Sequence, residues 1–453
     1  MSSATITTSA RLMNSTPQTE EQAMVRKVAV SSFLGNFIEW FDYASYSYFA
    51  TTIALVFFPT DNHTVAMLQT FGVFALSFIL RPIGALFWGS YGDKKGRKAA
   101  LAHSIMFMSG ASFLIGCLPS YSVIGVGAPI LLLLLRMVQG FSASGEYAGA
   151  ATFLGEYAPT SKRGIYCSLI PASTAIGLLA GSTLATLMTA NMNSSAMVGW
   201  GWRVPFLLSA ILVIVGLVVR VHMEETPIFR MAQEQKKVVK SPLTEVFKKS
   251  WKEVIQATFL VAVTYTLFYT LATWSLAWGT KTVEQGGGNL GFSNREYLLM
   301  LMIAVCVFAA FIIISCVNAD KFGRKRVIVI SSCCLVAFAL LFPFLLDPSV
   351  VGQRNFAANL LFLCIGFALM GTAFGPIGAF LPELFDANVR YSGSGIGYNL
   401  AAIVGAAFVP TIATWLSHHW GVHSVGLYLG VMALCCLIAV LSCKETKNVD
   451  FTK

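Results

Sequence analysis

Glu39 and Asp42 lie three residues apart in GNFIEWFDYASYSY, residues 35–48, within a run that is otherwise apolar from 28 to 58. On a helix, residues three apart share a face, and Asn36, Tyr43 and Tyr46 fall close to the same one. Two neighbouring carboxylates resist ionising together, which suits reversible proton binding. At a rise of about 1.5 Å per residue, Glu39 sits about 16 Å from the start of its run, near the middle of a bilayer. Arg81 and Arg136 fall at similar depths in the second and fourth apolar runs. Glu146 lies lower, on the face that carries Gln139, with Arg136 rotated away from both. A charge at that depth costs about 2.5–3.5 kcal/mol, so these five residues are expected to face an interior cavity and to pair. Three acids against two arginines leave one acid without a fixed counter-ion, a place for a proton or a substrate anion. We therefore expect Glu39, Asp42 and Glu146 to couple protons. Arg136 foremost, with Arg81, Tyr43 and Gln139, is expected to meet the substrate. The alternative is that these charges are structural ion pairs holding helices together.

The elements that position these residues follow from composition. Of 453 residues, 56% are hydrophobic and 11% charged, whereas a soluble domain carries about a quarter charged. A membrane helix needs about 20 mostly apolar residues. Twelve stretches qualify: 28–58, 68–91, 97–118, 125–155, 163–190, 202–222, 254–280, 296–319, 326–346, 355–382, 392–417 and 421–443. The fold class expected is an all-α integral membrane protein. The polar start, MSSATITTSARLMNSTPQTEEQ, has no apolar core and reads as a cytoplasmic tail rather than a signal peptide. With the N-terminus cytoplasmic, 25 of the 31 Lys and Arg fall on that side, and only Lys281, Arg295 and Arg354 lie in external loops. The bias puts both termini in the cytoplasm. The net charge of +10 is thus a topology signal, and no nucleic-acid partner is expected. The ten cysteines form no CxxC and have no His partner at zinc spacing, so no metal is expected. No HExxH, GxSxG or phosphate loop supports an enzyme.

The chain repeats itself. GSYGDKKGRK from Gly89 matches CVNADKFGRK from Cys316, and EYAPTSKRG from Glu156 matches ELFDANVRY from Glu383, both at an offset of 227 residues. MEETP and CKETK form a looser pair. The expected organisation is a tail 1–27, a six-helix half 28–222, a polar linker 223–253, a second half 254–443 and a tail 444–453. The buried charges do not repeat: the equivalents of Glu39, Arg81, Arg136 and Glu146 are Thr266, Phe308, Leu363 and Ala373. In their stead the seventh segment offers Tyr265, Tyr269, Trp274 and Trp278. Tyr269 and Trp274 are candidates for holding a substrate cation by cation–π attraction, and Trp278 for the interfacial belt.

GSYGDKKGRK resembles the loop motif between helices 2 and 3 of the major facilitator superfamily, whose halves are parallel six-helix repeats. GNFIEWFDYASY, LRPIGALFWGSYGDKKGRK, RMVQGFSASGEYAGAATFLGEYAP, GWRVPF and EETPIF, in that order, resemble its metabolite:proton symporter family, which includes carriers for α-ketoglutarate, citrate, shikimate and proline/betaine. The resemblance implies two six-helix bundles and import across a bacterial inner membrane. It also implies energy from the proton gradient, with no cofactor and no obligatory protein partner beyond lipid, proton and small solute. It further implies a cytoplasmic gate made of Asp93, Arg97, Glu156, Arg163, Asp320, Arg324, Glu383 and Arg390. Midplane arginines suit a carboxylate, and we expect an organic acid, with proline or betaine as the alternative and proton-driven export as a further one. The proline/betaine members end in a long coiled coil, whereas this sequence stops ten residues after its last apolar segment.

Overall fold

Backbone polar groups in lipid must be satisfied within the segment, so long apolar runs form helices. The structure is a computed structural model. It describes residues 18–59, 69, 70, 72, 73, 76–221, 223–235, 241–280, 288 and 290–451. Residues 1–17 of the expected tail, the start of the second apolar segment and part of the expected linker lie outside these. All regular structure among the described residues is helical. The principal helices are α1 Gln18–Tyr48, α2 Arg81–Lys95, α3 Arg97–Cys117, α4 Gly127–Ala143, α5 Glu146–Tyr157, α6 Leu169–Asn191 and α7 Arg203–Val221. They continue with α8 Trp251–Phe268, α9 Asn294–Phe322, α10 Arg324–Ala339, α11 Phe356–Glu383, α12 Arg390–Ala402 and α13 Val422–Ser442.

Among the described residues, eight helical stretches are long and apolar enough to cross a membrane. They include the continuous runs Gly127–Tyr157, Trp251–Thr280 and Arg390–Trp420. α1 falls short because Asn36, Glu39, Asp42 and several serines dilute it, and α10 because it has only 16 residues. Isoleucines and valines such as Ile79, Ile83, Ile211, Ile214, Val431 and Ile438 are exposed on the surface. In water such a surface would aggregate, whereas lipid solvates it. The chain is a multi-pass membrane protein.

Two boundaries differ from the hydropathy reading. α1 starts at Gln18, well before residue 28, because TEEQAMVRKV continues the helix out of the apolar run. The fourth apolar stretch is two helices, joined at Ser144 and Gly145. There Asn399 donates to the Ser144 carbonyl at 2.9 Å and Tyr391 to the Gly145 carbonyl at 2.7 Å, both from α12. Side chains inserted into a helix ladder are a recognised cause of kinks.

Packing pairs recur along the chain as the motifs do. α1 lies against α6 as α8 does against α12. α3 lies against α7 as α10 does against α13, and α2 against α4 as α9 does against α11. Contacts between the earlier and later parts run through α2 with α12 and α6 with α9. The α2–α4 crossing is close enough to demand glycine on both sides. A Cβ on Gly84 would stand 2.1 Å from the Phe141 carbonyl oxygen, and one on Gly140 2.1 Å from that of Ser77. Backbone cannot yield as a flexible side chain can, so Gly140→Val is expected to destabilise by about 1–3 kcal/mol. A lowered thermal unfolding midpoint in detergent would register it, and an unchanged midpoint would mean that the helices can separate freely here.

Candidate functional site

The charges inside the helices pair as their cost requires. Arg81, at the start of α2, donates through Nη2 to Glu39 Oε1 at 2.6 Å and through Nε to the Tyr43 hydroxyl at 3.3 Å. Its guanidinium also lies 4.8 Å from the ring centres of both Tyr43 and Phe78. Asp42 turns elsewhere. Its Oδ2 accepts from the Ser112 hydroxyl of α3 and, at 3.1 Å, from the Gln139 amide of α4. Gln139 Nε2 also donates to Ser112 Oγ at 2.7 Å, and its carbonyl oxygen accepts from Arg136. The Arg136 guanidinium lies 3.9 Å from the centre of the Tyr46 ring. One helical turn of α1 thus sends one carboxylate to a guanidinium and the other to two neutral donors. Asn36, a turn earlier, ties α1 to α6 through Ile170, Ser173 and Thr174 at 2.8–3.0 Å.

Glu146 does not join this group. Beyond the Ser144–Gly145 joint it faces Arg220 of α7, which grips both its oxygens and donates to the Leu101 carbonyl at 2.6 Å. Glu146 is thus held by Arg220 apart from the Asp42–Gln139 group, while Arg136, expected to be rotated away, bonds Gln139 directly. Arg220 escaped the sequence reading because it sits at the edge of the polar linker and was counted with the topology charges. It is buried, and its inclusion balances the charges: three acids against three arginines. Gly35 makes the room, since a Cβ there would lie 1.9 Å from Glu146 Oε1 and 2.0 Å from Arg220 Nη2.

The later part of the chain supplies aromatics near Glu39. Trp40 packs edge-on against Phe268, 6.0 Å between centres, and Phe268 against Tyr269 at 5.2 Å. Tyr265 meets Tyr398, which stacks on Tyr147 at 4.1 Å. Trp274, expected to line the same cavity, is spent on packing: its Nε1 donates to Ser417 at 3.3 Å and its ring stacks on Trp278 and Phe342. Trp278 itself is anchored to the Leu346 carbonyl at 3.2 Å. The buried polar atoms here without a hydrogen-bond partner include the second carboxylate oxygens of Glu39 and Asp42, the amide oxygen of Asn36 and Nε1 of Trp40. A cavity of about 630 Å³ lined by Phe87, Trp88, Phe107 and Phe141 is apolar and holds none of these charges.

A second charged layer closes the basic end, and it is duplicated. Asp93 accepts from the backbone N–H groups of Tyr391 and Ser392 at the start of α12, at 3.3 and 2.8 Å. Asp320 accepts from Gly164 and Ile165, both at 2.9 Å. Each acid of one part thus meets the positive end of a helix from the other. Glu156 is shared by Arg97 at 3.4 Å and Arg390 at 3.1 Å, and Glu383 by Arg324 at 3.3 Å and Arg163 at 3.4 Å. Arg97 also meets Asp93 at 3.3 Å, and Arg324 meets Asp320 at 2.9 Å. The tight turns are held by Gly96 and Gly323, with φ of 111° and 103°, where other residues would be strained. Glu225 and Glu445, from the weakly matching MEETP and CKETK, cap the helices that follow: Glu225 bonds the amides of Arg97 and Lys98, Glu445 those of Arg324 and Lys325.

A profile described as "Sugar (and other) transporter" matches residues 27–453. The "Inner membrane metabolite transport protein YhjE" of Escherichia coli (strain K12) is 41% identical over 93% of this chain and 94% of its own length. The "Proline/betaine transporter" of Salmonella typhimurium is 33% identical, covering 94% of this chain and 85% of that protein. A solved proton:xylose symporter, XylE, bound to 6-bromo-6-deoxy-D-glucose, shares the fold, with a TM-score of 0.78 at 18% identity over 95% of this chain and 98% of that one.

Breaking a buried pair leaves an uncompensated charge. Arg220→Met is therefore expected to cost about 3–5 kcal/mol of stability, and adding Glu146→Gln should restore most of it. Thermal unfolding of the purified single and double variants checks this. A double variant no more stable than the single would mean that Arg220 acts through packing and not through charge.

Proposed function

This chain belongs to the metabolite:proton symporter family of the major facilitator superfamily, and on that premise we propose that it imports a small zwitterion of the proline or betaine type together with a proton. It is a transporter and not an enzyme. In this reading the twelve apolar segments form two six-helix bundles, 28–222 and 254–443, joined by a cytoplasmic linker 223–253. The tails 1–27 and 444–453 are also cytoplasmic, and the membrane is the bacterial inner membrane. The recurring packing pairs support the two halves, and the inner-membrane relative supports the location.

The free oxygen of Glu39, set among aromatic rings, carries the choice of substrate. With Arg220 included, the interior is neutral, so a dicarboxylate would bring net negative charge into a site that has no spare cation. A zwitterion brings none. It can slip into the Glu39–Arg81 pair, offering its carboxylate to the guanidinium and its cationic nitrogen to the carboxylate. The unbonded oxygen of Glu39 and the rings of Trp40, Tyr43, Phe268 and Tyr269 suit a substituted ammonium group. The sequence reading favoured an organic acid at Arg136, but Arg136 is buried against Tyr46 and Gln139. It acts by fixing Gln139 on Asp42. The proline/betaine relative supports the same choice.

Asp42 is the proton carrier in this reading. Glu39 and Glu146 each hold a guanidinium directly, whereas Asp42 accepts from neutral donors that tolerate its protonation. The duplicated layer of Asp93, Arg97, Glu156, Arg163, Asp320, Arg324, Glu383 and Arg390 is the cytoplasmic gate. Parting the halves breaks the cross-pairs of Glu156 and Glu383 and opens the site inward.

Substrate-induced current in proteoliposomes tests the substrate. Inward current is expected with glycine betaine or proline and not with α-ketoglutarate or citrate; current with the acids alone would restore the organic-acid reading. Asp42→Asn is expected to abolish accumulation driven by a pH gradient while preserving counterflow exchange of labelled substrate. Accumulation at the wild-type level in that variant would remove Asp42 as the carrier.

A further inference from the structure

The gate arginines are held by something besides their acids. After α13 the chain turns back beneath the gate, where Thr446 donates to Glu383 Oε2 at 2.6 Å. Three residues on, the Val449 carbonyl accepts from Arg163 at 3.2 Å. Phe451 then enters the gate itself. Its ring centre lies 3.8 Å from the Arg163 guanidinium and 3.9 Å from that of Arg390. Its carbonyl accepts from both terminal nitrogens of Arg390 at 3.3 and 3.4 Å. The ring is only 3% exposed and lies over Gly155, where a Cβ would approach it to 3.2 Å.

Arg163 and Arg390 belong to opposite halves, and each reaches across to an acid of the other: Arg163 to Glu383, Arg390 to Glu156. The ring therefore bridges the two halves. If they part, no position keeps it against both guanidinium groups. Among the described residues the earlier half offers no counterpart: Arg97 faces Phe229 at 5.1 Å, but both belong to that half or its linker, so this contact can travel with it.

We propose that Phe451 is a positioning residue of the transport cycle, a wedge of the chain's own tail that holds Arg163 and Arg390 in the closed gate and must leave before the cytoplasmic side opens. The proposal rests on the reading above in which the two halves part to open the site inward, that is, on alternating access. Cation–π attraction to two arginines shielded from water makes the aromatic character of the residue matter, beyond its bulk. Phe451→Leu keeps much of the volume and loses the ring; Phe451→Trp keeps the ring.

The test measures the distance across the gate in the full-length protein. Spin labels on azide-bearing residues at Lys95 and Lys321, both exposed, leave the ten native cysteines untouched. Distance distributions are recorded by pulsed electron resonance in lipid, across pH and with glycine betaine as the solute. Wild type is expected to show two populations. Phe451→Leu and Phe451→Ala should raise the ratio of open to closed roughly ten-fold, and Phe451→Trp should leave it near wild type. Should Phe451→Ala fail to fold, the leucine and tryptophan variants carry the comparison. A leucine variant indistinguishable from wild type, while wild type still shows both populations, overturns the wedge and leaves alternating access standing. A single wild-type distance under every condition overturns both.

Discussion

A charge buried among apolar helices must be neutralised where it stands, and the rest of this structure is arranged around that constraint. Water is not there to screen it, and moving the charge to the surface would require unfolding the helix that carries it. Each interior carboxylate accordingly selects a partner on another helix: Glu39 selects α2, Asp42 selects α3 and α4, and Glu146 selects α7. These bonds fix the rotation of α1 about its axis more firmly than apolar packing could, because a lipid-facing leucine slides at little cost and an ion pair does not.

The charged layer at the basic end applies the constraint twice. Its buried glutamates are each met by more than one arginine, so neither stands uncompensated. Glu156 and Glu383 each hold an arginine from both halves. In the proposed cycle a carboxylate shared in this way loses one partner on opening and keeps the other, so it is never left alone. That lowers the cost of motion without lowering the specificity of the closed form.

Much of this was legible in the sequence, for reasons that differ by residue. The charged layer at the basic end was legible because it is written twice: a motif and its copy at one offset single out eight residues, which pair in two sets of four. Glu39, Asp42, Arg81 and Arg136 were legible because a charge within an apolar run is costly. Arg220 was not, because it lies where the apolar run meets the basic linker, and hydropathy cannot tell an arginine that faces inward from one that faces the cytoplasm. Missing it left the interior count one positive charge short, whereas the organic-acid expectation rests on the midplane arginines. The helix break at Ser144–Gly145 was hidden because its cause, the side chains of Tyr391 and Asn399, lies far along the chain. Trp274 was misread because its partner, Ser417, is equally remote.

Gly35 carries a last implication, which concerns descent and not mechanism. The Glu146–Arg220 pair occupies the volume that any side chain at position 35 would need. The three positions are thus one unit of inheritance, although they are spread over 186 residues of sequence. No one of them can drift alone: a larger residue at 35 collides with the pair, and a lone acid or arginine is stranded. A lineage can leave this arrangement only by exchanging the ion pair as a unit, and only then can position 35 take on a side chain.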